Sequence, residues 1–131
     1  MPSPHSPYSV VGAVNAYTSR GVPSSKIYIG VALYSRGFIT DGLGSPSKGN
    51  SPDKSWEDGV VDYKALPLPG ATEMWDDVAK AGYSYDANRK VLNTYDVPKA
   101  VMAKCEYVKQ NGLGGIIMWE STLHSGVCNS C

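Results

Sequence analysis

Two nearly unbroken apolar runs constrain this chain more than anything else in it: Lys26-Ile27-Tyr28-Ile29-Gly30-Val31-Ala32-Leu33-Tyr34 and Leu113-Gly114-Gly115-Ile116-Ile117-Met118-Trp119-Glu120. Neither alternates apolar with polar residues, so neither suits a sheet with one wet face. Each is patterned for cover on both faces, as strands of parallel sheets are. The second run directly follows a helix pattern, with Asp96 as N-cap, Pro98 in the first turn and Val101, Cys105 and Val108 on one stripe. Gly112 closes that helix, and Lys99, Lys104 and Lys109 are expected to face water. A helical crossover between two such strands makes them parallel neighbours. Two parallel strands do not complete a sheet, because each unpaired backbone group that becomes buried costs about 1–3 kcal/mol. The expectation is an α/β chain that forms part of a larger sheet or barrel.

A helix is also expected ahead of the first run, with Ser6 as N-cap, Pro7 at its first position, Val10, Val14 and Tyr17 on one stripe beside Ala13, and Gly21 as its stop. Between the two α/β stretches the character changes. Residues 41–59 hold four glycines, two prolines and four serines and read as a loop. Beyond it, Gly59-Val60-Val61-Asp62-Tyr63 reads as a strand and Leu66-Pro67-Leu68-Pro69-Gly70 as a corner. Ala81–Asp86 and Lys90–Tyr95, joined by Ala87-Asn88-Arg89, read as a hairpin. Residues 41–96 carry ten acids against six bases, a local charge of −4 that the flanks offset with +4. The domain reading is a helix-plus-strand segment at 1–37, a small antiparallel insert at 38–96, a second helix-plus-strand segment at 97–120 and an unstructured tail at 121–131.

With 131 residues the chain has room for one domain or part of one. Its 12 basic and 12 acidic side chains cancel, which argues against nucleic acid and anionic membrane as partners. No apolar run approaches the roughly 20 residues of a membrane span, and Met1-Pro2-Ser3-Pro4-His5-Ser6-Pro7 has neither the basic nor the apolar region of a secretion signal. Cys105, Cys128 and Cys131 are too few for a disulfide scaffold, so packing is expected to hold the fold. The lone C-x-x-C at 128–131 has no second pair for zinc, and His5 and His124 are isolated, so no metal or cofactor is expected. Nine Tyr and three Trp stand against one Phe, a balance that suits sugar surfaces as well as core margins.

Parallel strands place their carboxyl ends on one rim, where ligands of α/β folds bind. The first run ends in Tyr34-Ser35-Arg36 and the second in Met118-Trp119-Glu120, so a ring and a charged group leave each strand together. An indole offers a flat apolar platform, while a phenol, a guanidinium and a carboxylate supply hydrogen bonds; a pyranose needs both. The alternative is structural: Trp119 caps a core and Arg36 pairs with a buried carboxylate.

The stretch from Gly21 to Phe38 resembles the seventh-strand segment of family-18 glycoside hydrolases, the chitinases. In family order, Ser55-Trp56-Glu57-Asp58-Gly59-Val60-Val61-Asp62-Tyr63 and Tyr83-Ser84-Tyr85-Asp86 resemble the family's α+β insertion domain. Leu113–Glu120 resembles its eighth strand. The likeness covers roughly residues 5–120 and leans toward the fungal members. It implies an α/β fold, a partial (β/α)8 TIM barrel with a small α+β chitinase insertion domain, and chitin or chitooligosaccharides as partner in an extracellular setting. By this resemblance Tyr34 and Arg36 match a Tyr-Gly-Arg motif around the bound sugar, Trp119 matches the tryptophan stacked beneath it, and Glu73 matches an acid facing the groove. Ser35 stands where the family has glycine, adding a side chain that either crowds the cleft or points away.

The same resemblance implies substrate-assisted hydrolysis, in which the substrate's N-acetyl group is the nucleophile and a glutamic acid protonates the leaving oxygen. The Asp-x-x-Asp-x-Asp-x-Glu motif that carries this acid does not occur in the 131 residues, nor does the family's Met-x-Tyr-Asp. A general acid contributes roughly 10²–10⁴-fold, so no catalytic residue is assigned and the chain alone is expected to be inactive. Glu57, Asp58, Asp62, Asp76 and Asp77 read as solvated surface charge. After Glu120 the tail departs from the family pattern, as expected for a carboxy-terminal piece of a chitinase. The competing reading is a noncatalytic chitin-binding or interaction module built on the insert.

Overall fold

The structure, a computed structural model, describes Met1 and residues 6–119. The expected tail at 121–131, Glu120, Cys128, Cys131, His5 and His124 lie outside the described residues. In chain order the elements are α1 (Val10–Thr18), β1 (Tyr28–Ala32), β2 (Tyr34–Ile39), β3 (Val60–Asp62), β4 (Thr72–Asp76), β5 (Ala81–Asp86), β6 (Val91–Tyr95), α2 (Pro98–Gln110) and β7 (Gly115–Trp119). Short 3-10 turns occupy Ser24–Lys26 and Tyr63–Ala65.

The chain changes sheets at Leu33. Strands β1 and β7 pair in parallel, from Tyr28 opposite Gly115 to Ala32 opposite Trp119. Strand β2 then enters a separate antiparallel sheet of order β3-β2-β6-β5-β4. The single strand expected over 26–34 is thus two strands, because the backbone of Leu33 serves both sheets: its N–H donates to the Trp119 carbonyl (2.8 Å) and its carbonyl accepts from the Tyr63 N–H (3.0 Å). The parallel pairing of the two apolar runs matches the expectation, as does the β5–β6 hairpin, which closes with Asp86 opposite Val91. Strand β4 was not expected. Its residues, Thr72-Glu73-Met74-Trp75-Asp76, are exposed or half-exposed along the sheet edge and show no alternation to read.

Helix α2 joins two cores. Val101 and Cys105 pack with Val31, Ile116 and Met118 against the parallel pair. Ala100 packs with Tyr95 and Val97, beside Tyr63, Leu66 and Trp75, under the antiparallel sheet. Cys105 is disulfide-bonded as well as buried, a covalent tie that its place on the helical stripe did not announce.

Three helix details differ from expectation. Helix α1 starts at Ser9, whose Oγ accepts from the Gly12 N–H (3.0 Å); Ser6 instead exchanges hydrogen bonds with the Tyr8 backbone. On its stripe only Val14 is buried, while Val10 and Tyr17 are exposed, since a two-stranded sheet offers little surface to cover them. Asp96 does not cap α2; Val97 holds the N-cap position without a side-chain bond, and the Asp96 carboxylate accepts from the Ala32 N–H (2.9 Å) and from Lys104 Nζ (2.6 Å). Lys104 is therefore turned inward, away from water, and also donates to the Gly30 carbonyl (2.9 Å). The fold is mixed α/β, and the described residues form no closed barrel. Among the described residues no helix is long and apolar enough to cross a membrane.

Candidate functional site

The register of the antiparallel sheet sorts its side chains onto two faces. Arg36, Thr94, Tyr83 and Met74 stand directly opposite one another across β2, β6, β5 and β4, a single row on one face. Tyr34 shares that face, being two residues from Arg36 on the same strand. Gly37, Asn93, Ser84 and Glu73 form the neighbouring row on the other face. Ser35 belongs to this second face, where it is fully buried and donates to Asn93 Oδ1 (3.2 Å). Its hydroxymethyl group points away from the Tyr34–Arg36 surface and does not crowd it.

On the first face a compact aromatic and charged shelf forms at the β2–β3 edge. The Tyr34 ring meets the Trp56 ring edge to face, with centroids 6.3 Å apart and planes at 67°. The Arg36 guanidinium lies 5.8 Å from the Tyr34 ring centre, and its Nη1 donates to Glu57 Oε1 (2.9 Å). Both partners of this ion pair are about half exposed, at 49% and 51%, so the pair contributes at most about 1 kcal/mol of stability and serves mainly to orient the guanidinium. Trp56 is exposed as well. Glu57 was read as solvated charge; only the β2–β3 pairing brings it to Arg36, 21 residues away in sequence, and nothing in the local pattern signals this.

Trp119 ends β7, opposite Ala32 in the parallel register, and is 66% exposed. The carboxylate facing Arg36, that of Glu57, is about half exposed, at 51%. The end of β1 thus links the two halves of the candidate site: Trp119 stands opposite Ala32, and Tyr34 follows two residues later. A cavity of about 590 Å³ is lined by Tyr34, Arg36, Tyr83 and Thr94 together with Tyr95, Asp96 and Lys104; Trp119 does not line it.

Glu73 is not brought to this surface. It stands on the opposite face from Arg36, where Glu73 Oε2 accepts from the Tyr95 hydroxyl (2.8 Å). Burial, reinforced by this bond to a carboxylate, pushes the Tyr95 phenol above its ordinary range. Of the other carboxylates read as solvated charge, Asp76 accepts from the Val78 and Ala79 N–H groups, Asp77 from Trp75 Nε1 and Lys80, and Asp58 from Lys54, whereas the Asp62 side chain is largely buried, at 13% exposure, with Lys64 Nζ 3.4 Å away, because β3 places it inside the fold.

The profile of the family described as glycosyl hydrolases family 18 matches residues 2–123. Endochitinase 1 of Metarhizium robertsii is 46% identical over 117 residues, covering 88% of this chain and 27% of the relative. Chitinase 1 of Aphanocladium album is 45% identical over the same length, with the same coverage. Among solved structures, a chitinase from Paenibacillus superposes with a TM-score of 0.79 at 32% identity, over 95% of this chain and 15% of that one. A family-18 chitinase from Cycas revoluta, determined with (GlcNAc)4, superposes with a TM-score of 0.80 at 25% identity, over 93% of this chain and 36% of that one. The chain spans about a quarter of the length of the curated relatives it matches. With a family profile covering nearly all of it, this chain belongs to glycosyl hydrolase family 18.

Proposed function

We propose that this chain supplies wall and floor of a groove for β-1,4-linked N-acetylglucosamine polymers, the substrate-gripping part of a chitinase, and that it does not cleave them by itself. In this reading Trp119 offers its exposed face to a sugar ring, Tyr34 and Arg36 hydrogen-bond its hydroxyl and amide oxygens, and Trp56 and Glu57 hold and extend that edge. Glu73, on the far face, is left out of the binding set. Segments 1–37 and 97–120 correspond to the last strands and helices of a barrel and 38–96 to its insertion domain, an arrangement that suits an extracellular enzyme of chitin breakdown.

The single observation that carries the reading is the exposure of Trp119, opposite Ala32 at the end of β1, with the Tyr34–Arg36–Glu57 shelf beginning two residues further along the chain. The relatives' chitinase names and the (GlcNAc)4 held by a structural neighbour favour the same ligand. Absence of the acid-bearing motif from the 131 residues favours binding without turnover. The test has two parts. Calorimetric titration with chitohexaose is expected to give saturable heat that Trp119→Ala abolishes; no heat at millimolar ligand rejects the groove. Incubation with a fluorogenic chitooligosaccharide is expected to release no fluorophore; release above the Trp119→Ala background rejects the claim that the proton donor is missing.

A further inference from the structure

We propose that Asp96 and Lys104 are positioning residues: their ion pair clamps the end of β1 and thereby sets the spacing between the Trp119 platform and the Tyr34–Arg36 shelf. The inference rests on the binding reading above. Asp96 Oδ2 accepts from two donors at once, the Ala32 N–H (2.9 Å) and Lys104 Nζ (2.6 Å), and Lys104 Nζ also donates to the Gly30 carbonyl (2.9 Å). Both side chains are largely buried, at 14% and 22% exposure, where a charge-assisted bond holds its geometry better than on the surface.

The clamped residue is the one that matters. Ala32 stands opposite Trp119 in the parallel register, and the next N–H, that of Leu33, donates to the Trp119 carbonyl. On its other side the Leu33 carbonyl holds Tyr63, and Tyr34 opens β2. Asp96 itself follows β6, the strand that pairs with Arg36 through Thr94, and Lys104 belongs to α2, which packs beneath β1 and β7. One carboxylate therefore ties together the antiparallel sheet that bears the shelf, the parallel pair that bears the indole and the helix beneath them. Because Asp96 and Lys104 also line the cavity beside the shelf, amide exchange, which needs no ligand, separates their hold on β1 from any direct contact with a sugar.

The experiment compares the full chain with its Asp96→Asn and Lys104→Gln variants, with Lys104→Arg as the conservative control. Amide exchange by NMR reads the clamp without any ligand. In Asp96→Asn the Leu33 amide is expected to exchange about tenfold faster or more, while the Asn93 amide inside β6 keeps its protection and reports an intact sheet. In the titration both charge-removing variants are expected to weaken chitohexaose binding about tenfold, with Lys104→Arg close to the unmodified chain. Unchanged exchange at Leu33 overturns the inference, as does unchanged affinity in variants whose Leu33 amide has been released. If the unmodified chain takes up no chitohexaose, the binding reading fails on its own, and the Leu33 exchange rate still decides whether the pair holds the two halves together. Lys104→Gln carries the test should Asp96→Asn fail to fold.

Discussion

The two sheets of this protein solve the same problem to different degrees. The antiparallel sheet makes its pairings within one continuous stretch, Tyr34 to Tyr95, through hairpins and short returns, so four neighbouring pairs close without outside help. Its inner face is filled by Val61, Ser35, Asn93, Ser84 and Tyr95, all buried. The parallel pair has α2 against one face only. On the other, Tyr28, Ile117 and Trp119 are exposed although the strands are apolar throughout. A hairpin brings its own partner; a parallel strand depends on a crossover and on neighbours from other parts of a chain. The candidate site sits across the seam, with its charged and phenolic half on the self-completed sheet and its indole on the open one.

The largest effect expected from probing this contrast is in the antiparallel sheet. A Cβ at Gly37 would come within 2.6 Å of Asn93 Oδ1 and 3.0 Å of the Ser51 Cβ, both in a filled interior. Gly37→Ala is expected to cost about 1–3 kcal/mol in urea unfolding, and a neutral result would mean that this interior is loosely packed. Next, Ser35→Gly removes a buried hydroxyl bonded to Asn93 and restores the family's glycine. It is expected to lower stability by about 1 kcal/mol and to leave chitohexaose affinity unchanged; a gain in affinity would place Ser35 in the groove after all. On the open face of the parallel pair, Ile117→Thr is expected to change stability by less than about 0.5 kcal/mol. A loss of several times that would show the face to be covered in solution. The smallest effect concerns acid. Hydrogen bonds from Lys48, then Lys90, and the charges of both hold the exposed Asp41 carboxyl at about 2, below its ordinary 3.8. A lowered folded-state pKa gives stability that is present above the unfolded value and lost as pH falls, so Asp41→Asn should flatten the stability profile between about pH 4 and 2. An unaltered acid limb in that variant would show that the two lysines do not hold Asp41 in solution.

Much of the fold could be read from the chain. The two apolar runs paired in parallel, the 81–86 and 90–95 segments formed a hairpin, and the run from 98 to 110 formed a helix closed near Gly112, whose φ is +58°. What misled was the unbroken hydrophobicity from Ile27 to Tyr34, because a change of sheet costs no apolar residue and leaves no trace in the pattern. Asp96 misled for another reason. An acid before a helix reads as a cap, and only the approach of Ala32 and Lys104, 64 residues back and 8 ahead, gives its carboxylate other donors. For the candidate site, Trp119 was legible as a residue at a strand end, whereas Tyr34 and Arg36, read at the end of the first run, lie within β2 of the other sheet. Glu57 was not, since its partner lies on another strand, and Glu73 was assigned to a surface that the β4 register turns away from.

The chain's own order of residues determined which strands are apolar on both sides, which helix links them, where aromatic and charged groups leave the strands and that an acid-bearing motif is missing. These are local facts, set by periodicity and by the chemistry of single side chains. The tertiary structure alone decided which face each side chain occupies, that Ser35 turns inward, that Glu57 meets Arg36 and that Trp119 stands open beside Ala32. Facing is a property of register between segments distant in sequence, and a slip of one residue moves a strand's side chains to the other face.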